Sequence, residues 1–167
     1  TTNKIDEQLQ DIATGLEISC YRGSEQNVMK RVLEAARKYN ADVVVEITAD
    51  CPLLDPNIVE QTLEIFLNNN FDYVSNNNIP SYPDGLDVRI FSSSILAKSF
   101  LEANLPSHFE HVTLHIRENP DKFSICNLIA PKTLRFPEIA ITLDQIEDLN
   151  LIKIIAQNTI DRKSLLF

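Results

Sequence analysis

Apolar residues recur at two different periods along the chain, and the two alternate from end to end. Ile5, Leu9 and Ile12 fall at helical spacing behind Asn3, a residue type that caps helices, and Gly15 ends the run. The short run EISCY that follows reads as a strand. Ser24 is placed to cap a helix with Val28, Val32, Ala35, Ala36 and Tyr39 on one face and Asn40 at its end. The stretch DVVVEIT predicts a buried strand, and Asp55-Pro56 then supplies a cap and a first-turn proline to a helix with Ile58, Val59, Thr62, Leu63 and Phe66 as its stripe.

FDYVSN reads as the next strand, and NNNIPSYPDG, rich in Asn, Pro and Gly, as a loop from which DVRIFS leaves as a strand. Helices are predicted over about 94–104 and 107–119, bracketed by Pro106 and Pro120. FSICNLI and EIAITLD read as strands, and 145–158 as a long helix with Ile146, Leu149, Ile152 and Ile155 inward. Such alternation predicts a three-layer α/β/α sandwich around a mostly parallel sheet, where ligands gather at the carboxyl ends of strands.

Length and charge narrow what this fold would do. With 167 residues, 44% of them hydrophobic, the chain is expected to form a single domain, 1–167. A net charge of −9, with no run of Lys or Arg longer than two, argues against nucleic-acid binding. Cys20, Cys51 and Cys126 fit neither a disulfide framework nor a zinc ribbon. No apolar stretch reaches the roughly 20 residues that cross a bilayer, and the polar first residues do not read as a signal peptide, so a cytoplasmic protein without membrane contact is expected.

Two carboxylates carry the candidate chemistry. Asp50 and Asp144 each follow a predicted apolar strand and precede a helix, so neighbouring strands would bring both to one point. Two hard oxygen ligands suit Mg²⁺, which completes its shell with water and substrate phosphate, and such a site suits phosphoryl or nucleotidyl transfer. Helix capping is the competing explanation for either aspartate, although Asp55 already serves the helix after Asp50.

The blocks YRGSEQNV, ADVVVEITADCPLLDP, DYVSN, YPDGLDV, EHVTLHIRENP and ITLDQIEDL, in this order, resemble the cytidylyltransferases of spore-coat polysaccharide synthesis, relatives of the acylneuraminate cytidylyltransferases. The resemblance runs from about residue 3 to about residue 155. It implies a GT-A-like nucleotide-diphosphosugar transferase fold with a mixed sheet. It also implies a reaction in which a sugar hydroxyl attacks the α-phosphate of CTP and releases pyrophosphate.

By the same resemblance, Asp50 and Asp144 are the catalytic, Mg²⁺-binding positions. Arg22, Gly23, Ser24 and Glu25 lie with Asp50 on the nucleotide side, and Asp84, Gly85, Asp87, Glu110 and His111 on the sugar side. Each of the last group has an ordinary explanation too: Gly85 is a turn glycine and His111 a helical histidine. Arg89 departs from the acid that the family usually carries in that block.

The Gly/Ser-rich basic loop that wraps the triphosphate in such enzymes, and the first strand before it, have no counterpart among the three glycines, Gly15, Gly23 and Gly85. The resemblance therefore implies a truncated nucleotidyltransferase domain, expected to be inactive alone and, at its open sheet edge, either to pair as a homodimer or to be poorly soluble. Beside the enzyme stand a catalytically inactive sugar-binding or structural relative, and a glycosyltransferase on the same fold.

Overall fold

A computed structural model describes residues 1–160. Its four strands are β1 (Val43–Glu46), β2 (Tyr73–Ser75), β3 (Arg89–Ser92) and β4 (Ile125–Asn127), which pair in the order β1-β3-β2-β4. The helices are α1 (Glu7–Gly15), α2 (Val28–Lys38), α3 (Pro56–Asn68), α4 (Ser93–Glu102), α5 (Pro106–Glu110), α6 (Leu114–Glu118) and α7 (Ile146–Ile160). The expected class, a mixed sheet flanked by helices, is the one observed. Residue contacts divide the chain into two compact units: 1–44 with 91–125, and 45–90 with the described residues from 126 on.

In the first unit, α2 packs against α4 and α5. Its cap is Asn27, whose side chain accepts from the Lys30 N–H at 2.8 Å, and not Ser24, whose hydroxyl instead accepts from the Asn27 N–H at 3.0 Å. Starting the helix later turns Met29, Leu33 and Ala36 inward and leaves Tyr39 exposed. The helix α1 forms as its spacing predicts, yet Leu9 and Ile12 on it are exposed, as is Ile5 in the 3-10 turn before it. EISCY forms no strand. The helix predicted over 107–119 divides into α5 and α6, because His111 leaves helical backbone at ψ 96°.

This unit also buries two histidines. The His108 Nε2 lies 2.9 Å from the Glu118 carboxylate, and the His115 Nδ1 lies 3.0 Å from the Ser99 hydroxyl, with the two rings edge to face at 5.1 Å. Burial, and then the charge His108 can carry, hold the His115 imidazole below its ordinary value; Lys122 acts the same way, while Glu102 and Glu118 oppose it. A base depressed in the fold binds fewer protons there than in the unfolded chain. Its stabilising effect is therefore complete above the ordinary imidazole value of 6.5 and is lost as pH falls through it. Urea midpoints are expected to drop between pH 7.5 and 5, by less in His115→Gln; an equal drop in both proteins would remove His115 as the cause.

In the second unit, Asp55 caps α3 by accepting from the Asn57 N–H at 2.9 Å, and α3 lays Ile58 and Thr62 toward β2. β2 is wholly buried. The predicted strand EIAITLD is absent: its one ladder element is a parallel bridge from Ala140 to Asp84.

Candidate active site

The site is built in the second unit, from the chain that leaves β2 and returns as β3. Asn76 follows β2 and is buried, with its side-chain amide standing in for a missing stretch of ladder. It donates to the Leu86 carbonyl at 2.7 Å and accepts from the Val88 N–H at 2.8 Å. Outside this clamp the loop is pinned to the end of β4: Ile79 N–H donates to the Asn127 side chain at 2.9 Å, and Ser81 Oγ accepts from Ala130 N–H at 3.0 Å. Between these anchors lies a cleft of about 280 Å³, with Asn76, Asn77, Ser81, Tyr82, Asp84 and Asp87 as its polar wall.

One segment joins the cleft to the Asp50 turn. Asp84 N–H donates to the Ile139 carbonyl at 2.9 Å, and the Ile141 N–H returns a bond to the Asp84 carbonyl at 2.8 Å. Two residues on, the Leu143 N–H donates to the Asp50 carbonyl at 2.8 Å. Gly85 makes the first junction possible: its φ is +102°, and a Cβ there would stand 3.0 Å from the Ile141 carbonyl carbon. It is a turn glycine in close approach to a neighbouring backbone.

The Leu143 bond sets Asp50 and Asp144 on adjoining segments, although neither ends a strand. β1 closes at Glu46, Asp50 lies in the turn beyond it, and 141–144 is irregular. Neither carboxylate is spent on a cap. The first N–H groups ahead of α7, those of Asp144 and Gln145, are met by Asp148 at 3.0 and 2.8 Å, while the Asp144 carboxylate accepts from the Thr142 hydroxyl at 2.8 Å. The Thr48 hydroxyl beside Asp50 holds its carboxyl below the usual carboxylate range, against the effect of burial, and Arg89 adds to the lowering. Asp50 is thus an anion at neutral pH.

Asp87 links cleft and turn. Its Oδ2 accepts from Asn77 at 2.7 Å and from the Arg89 guanidinium at 3.2 Å, so the arginine that departs from the expected pattern is paired inside the site. Burial pushes the Cys51 thiol up, with the Asp50 and Asp87 charges acting in the same direction. Cys51 is therefore a neutral neighbour at 3.6 Å from the Asp50 carboxylate. Among the described residues no group of three or more His, Cys, Asp and Glu is placed to hold a metal ion.

The remaining expected residues belong to the first unit. The Arg22 guanidinium donates to the Thr1 and Asn3 carbonyls, both at 2.7 Å, and to Gln10 at 3.1 Å; Gly23 is buried against Arg31 and Tyr21, Ser24 is half-buried and Glu25 exposed. Glu110 ends α5, and His111 is an exposed residue at its break rather than a helical one. Asn76, Asn77, Ser81 and Tyr82 were not singled out from the sequence. The one available signal is three consecutive asparagines, Asn76, Asn77 and Asn78, closing the run YVS.

The cytidylyltransferase family model matches residues 1–167. The chain belongs to the cytidylyltransferase family. Among related proteins, an uncharacterized protein of Methanocaldococcus jannaschii is 36% identical over 151 residues, covering 90% of this chain and 61% of its own length. The spore coat polysaccharide biosynthesis protein SpsF of Bacillus subtilis is 28% identical over 165 residues, covering 94% of this chain and 66% of its own length. This family member thus spans just under two thirds of both curated relatives. A cytidylyltransferase structure from Leptospira borgpetersenii superposes with a TM-score of 0.84 at 29% identity, over 95% of this chain and 74% of that one. Among the described residues of the cytidylyltransferase-family chain, no helix is long and apolar enough to cross a membrane.

Proposed function

We propose that the chain forms the catalytic part of a CTP-dependent nucleotidyltransferase that passes CMP to a sugar for surface polysaccharide synthesis in the cytoplasm. The observation that carries this reading is the Leu143 to Asp50 hydrogen bond, which holds two carboxylates on adjoining segments with neither used for capping. Family membership and the likeness to SpsF support the same chemistry.

In the reaction the sugar hydroxyl oxygen forms a bond to the α-phosphorus, the bond from that phosphorus to the bridging oxygen breaks, pyrophosphate leaves, and the hydroxyl proton passes to solvent. Asp50 and Asp144 would hold Mg²⁺, and the pair fits that ion, which takes one or two carboxylates and fills the rest of its shell from water and phosphate. When bound, the ion offsets charge on the phosphate oxygens. Thr48 keeps Asp50 ionised for this role, and the cleft walled by Asn77, Asp84 and Asp87 receives the sugar beside it.

The test is pyrophosphate release from CTP by the protein expressed from its complete gene, with a sugar panel, with and without Mg²⁺. Release that requires CTP, sugar and the ion is expected. CTP bound without release would replace the enzyme by a binding module, and turnover of a nucleotide-sugar donor alone would replace it by a glycosyltransferase.

A further inference from the structure

The connection from α4 to α5 places its backbone donors on a side chain. Ala103 N–H bonds back to the Ser99 carbonyl at 2.9 Å, and Pro106 has no N–H to place. The two amides between them, those of Asn104 and Leu105, both donate to one atom, the Nδ1 of His108, each at 3.4 Å. His108 stands at the third position of α5 and reaches back to the amide that precedes the helix, the task that Glu or Gln performs in a capping box. An N–H can only donate, so Nδ1 is an unprotonated acceptor. The proton of this buried ring is therefore on Nε2, which lies 2.9 Å from the Glu118 carboxylate.

That acceptor exists only while the ring is neutral. A second proton, on Nδ1, removes it, leaves two amides without their partner, and sets positive charge at a helix N-terminus, where the peptide dipoles oppose it. The surroundings direct that proton to His108. From α6, Glu118 faces its Nε2 and Arg117 is half-buried, while His115, edge to face at 5.1 Å, lies 3.0 Å from the Ser99 hydroxyl through its Nδ1. A carboxylate thus faces one ring and a hydroxyl the other. From α4, Glu102 is paired with Lys122 at 3.0 Å, and Lys98 lies over the Phe123 ring. The helix α2, which also packs on α5, buries Met29, Leu33 and Ala36; its Lys30 is paired with Glu34, its Arg31 donates to the Ser24 carbonyl, and its Arg37 and Lys38 are exposed. We propose that His108 is a proton-operated latch: neutral, it pins the connection from α4 onto the first turn of α5, and its protonation releases that connection. α5 ends at Glu110, so the mounting of Glu110, and of His111 after it, loosens with the latch.

Nitrogen NMR of the ring and hydrogen exchange of the amides test it, on the protein expressed from its complete gene, at pH 7.5 and pH 5, an interval in which imidazole changes charge. At pH 7.5 the His108 ring is expected as the Nε2–H tautomer. The Asn104 and Leu105 amides, corrected for intrinsic exchange, are expected to lose about tenfold or more of their protection at pH 5, the scale of one backbone hydrogen bond together with a charge at a helix end. His108→Gln keeps an acceptor at the same position and does not titrate, so its protection of these two amides should be equal at both pH values. His115→Gln should keep the wild-type response. An Nδ1–H ring at pH 7.5, wild-type protection that does not change with pH, a fall as large in His108→Gln, or a fall that vanishes in His115→Gln would each overturn the proposal. The first two of these are read from the wild-type protein and decide the matter even where a variant does not fold.

Discussion

Asp50→Ala is expected to abolish Mg²⁺-dependent binding of CTP while leaving the fold in place. Removing a direct ligand should cost at least the 10–100-fold that loss of a supporting group typically costs a metal site, so a loss of about 100-fold or more in metal-dependent affinity is the expected scale. The structural cost is the loss of the bonds the carboxylate accepts from the Thr48 hydroxyl and, at 3.6 Å, from the Cys51 thiol, which keep their own contact at 3.3 Å. Bonds to a charged acceptor contribute about 1.5–3 kcal/mol where buried and less at this partly exposed turn, so at about 2–4 °C per kcal/mol the melting point should fall by only a few degrees. The backbone bond between the Asp50 carbonyl and the Leu143 N–H does not depend on the side chain and persists in the variant.

Combining Asp50→Ala with Asp144→Ala sharpens the test. Two ligands of one ion act as a unit, so the double variant should bind metal and CTP no worse than the weaker single variant. Fully additive losses would mean two independent roles and no shared ion. A melting point lowered by more than about 10 °C in Asp50→Ala would make the carboxylate structural. Because the Asp50 carboxyl is depressed in the fold, its stabilising effect is present above the ordinary value of 3.8 and is lost as pH falls through the lower folded one. The wild-type protein should therefore lose more stability than Asp50→Ala on acidification below that point.

What could be read from the sequence follows the range of the forces involved. α3 and α7 announce themselves because Asp55-Pro56 and the 3.6-residue apolar period act within a few residues of each other. EISCY and EIAITLD have the composition of strands but lack the partners: Ala140 reaches only Asp84, and residues 17–21 pair with no strand. The division of α5 from α6 depends on the backbone at His111, just before Val112 and Thr113, both buried. No local period reveals it. Asp50 was legible as a candidate because Asp55 left it without a capping job. Asp144 was not separable from a cap until Asp148 was seen to meet the N–H groups ahead of α7. Asn76 and Asn77 stayed hidden, since their partners Leu86, Val88 and Asp87 lie ten or more residues away across a loop with no regular structure.

Asn76→Ala is expected to be among the most destabilising single substitutions near the site. It removes one side chain from two backbone groups, the Leu86 carbonyl and the Val88 N–H, at a buried position. At about 1–3 kcal/mol for each of the two unsatisfied groups, the loss is about 2–6 kcal/mol, with the cleft loop released at the same time. Asn76→Asp tells this apart from a simple packing defect. Aspartate can still accept from Val88, but its second oxygen would face the Leu86 carbonyl, and a buried carboxylate so placed has its pKa raised. An acid raised in the fold binds more protons there than in the unfolded chain. Its cost is thus absent below the unfolded value of about 3.9 and grows as pH rises through the folded one. Relative to Asn76→Ala at each pH, Asn76→Asp should be closest to wild type in acid and fall away toward neutrality, as read from urea midpoints. A difference between the two variants that does not change with pH would mean that the amide's two hydrogen bonds do not hold the loop.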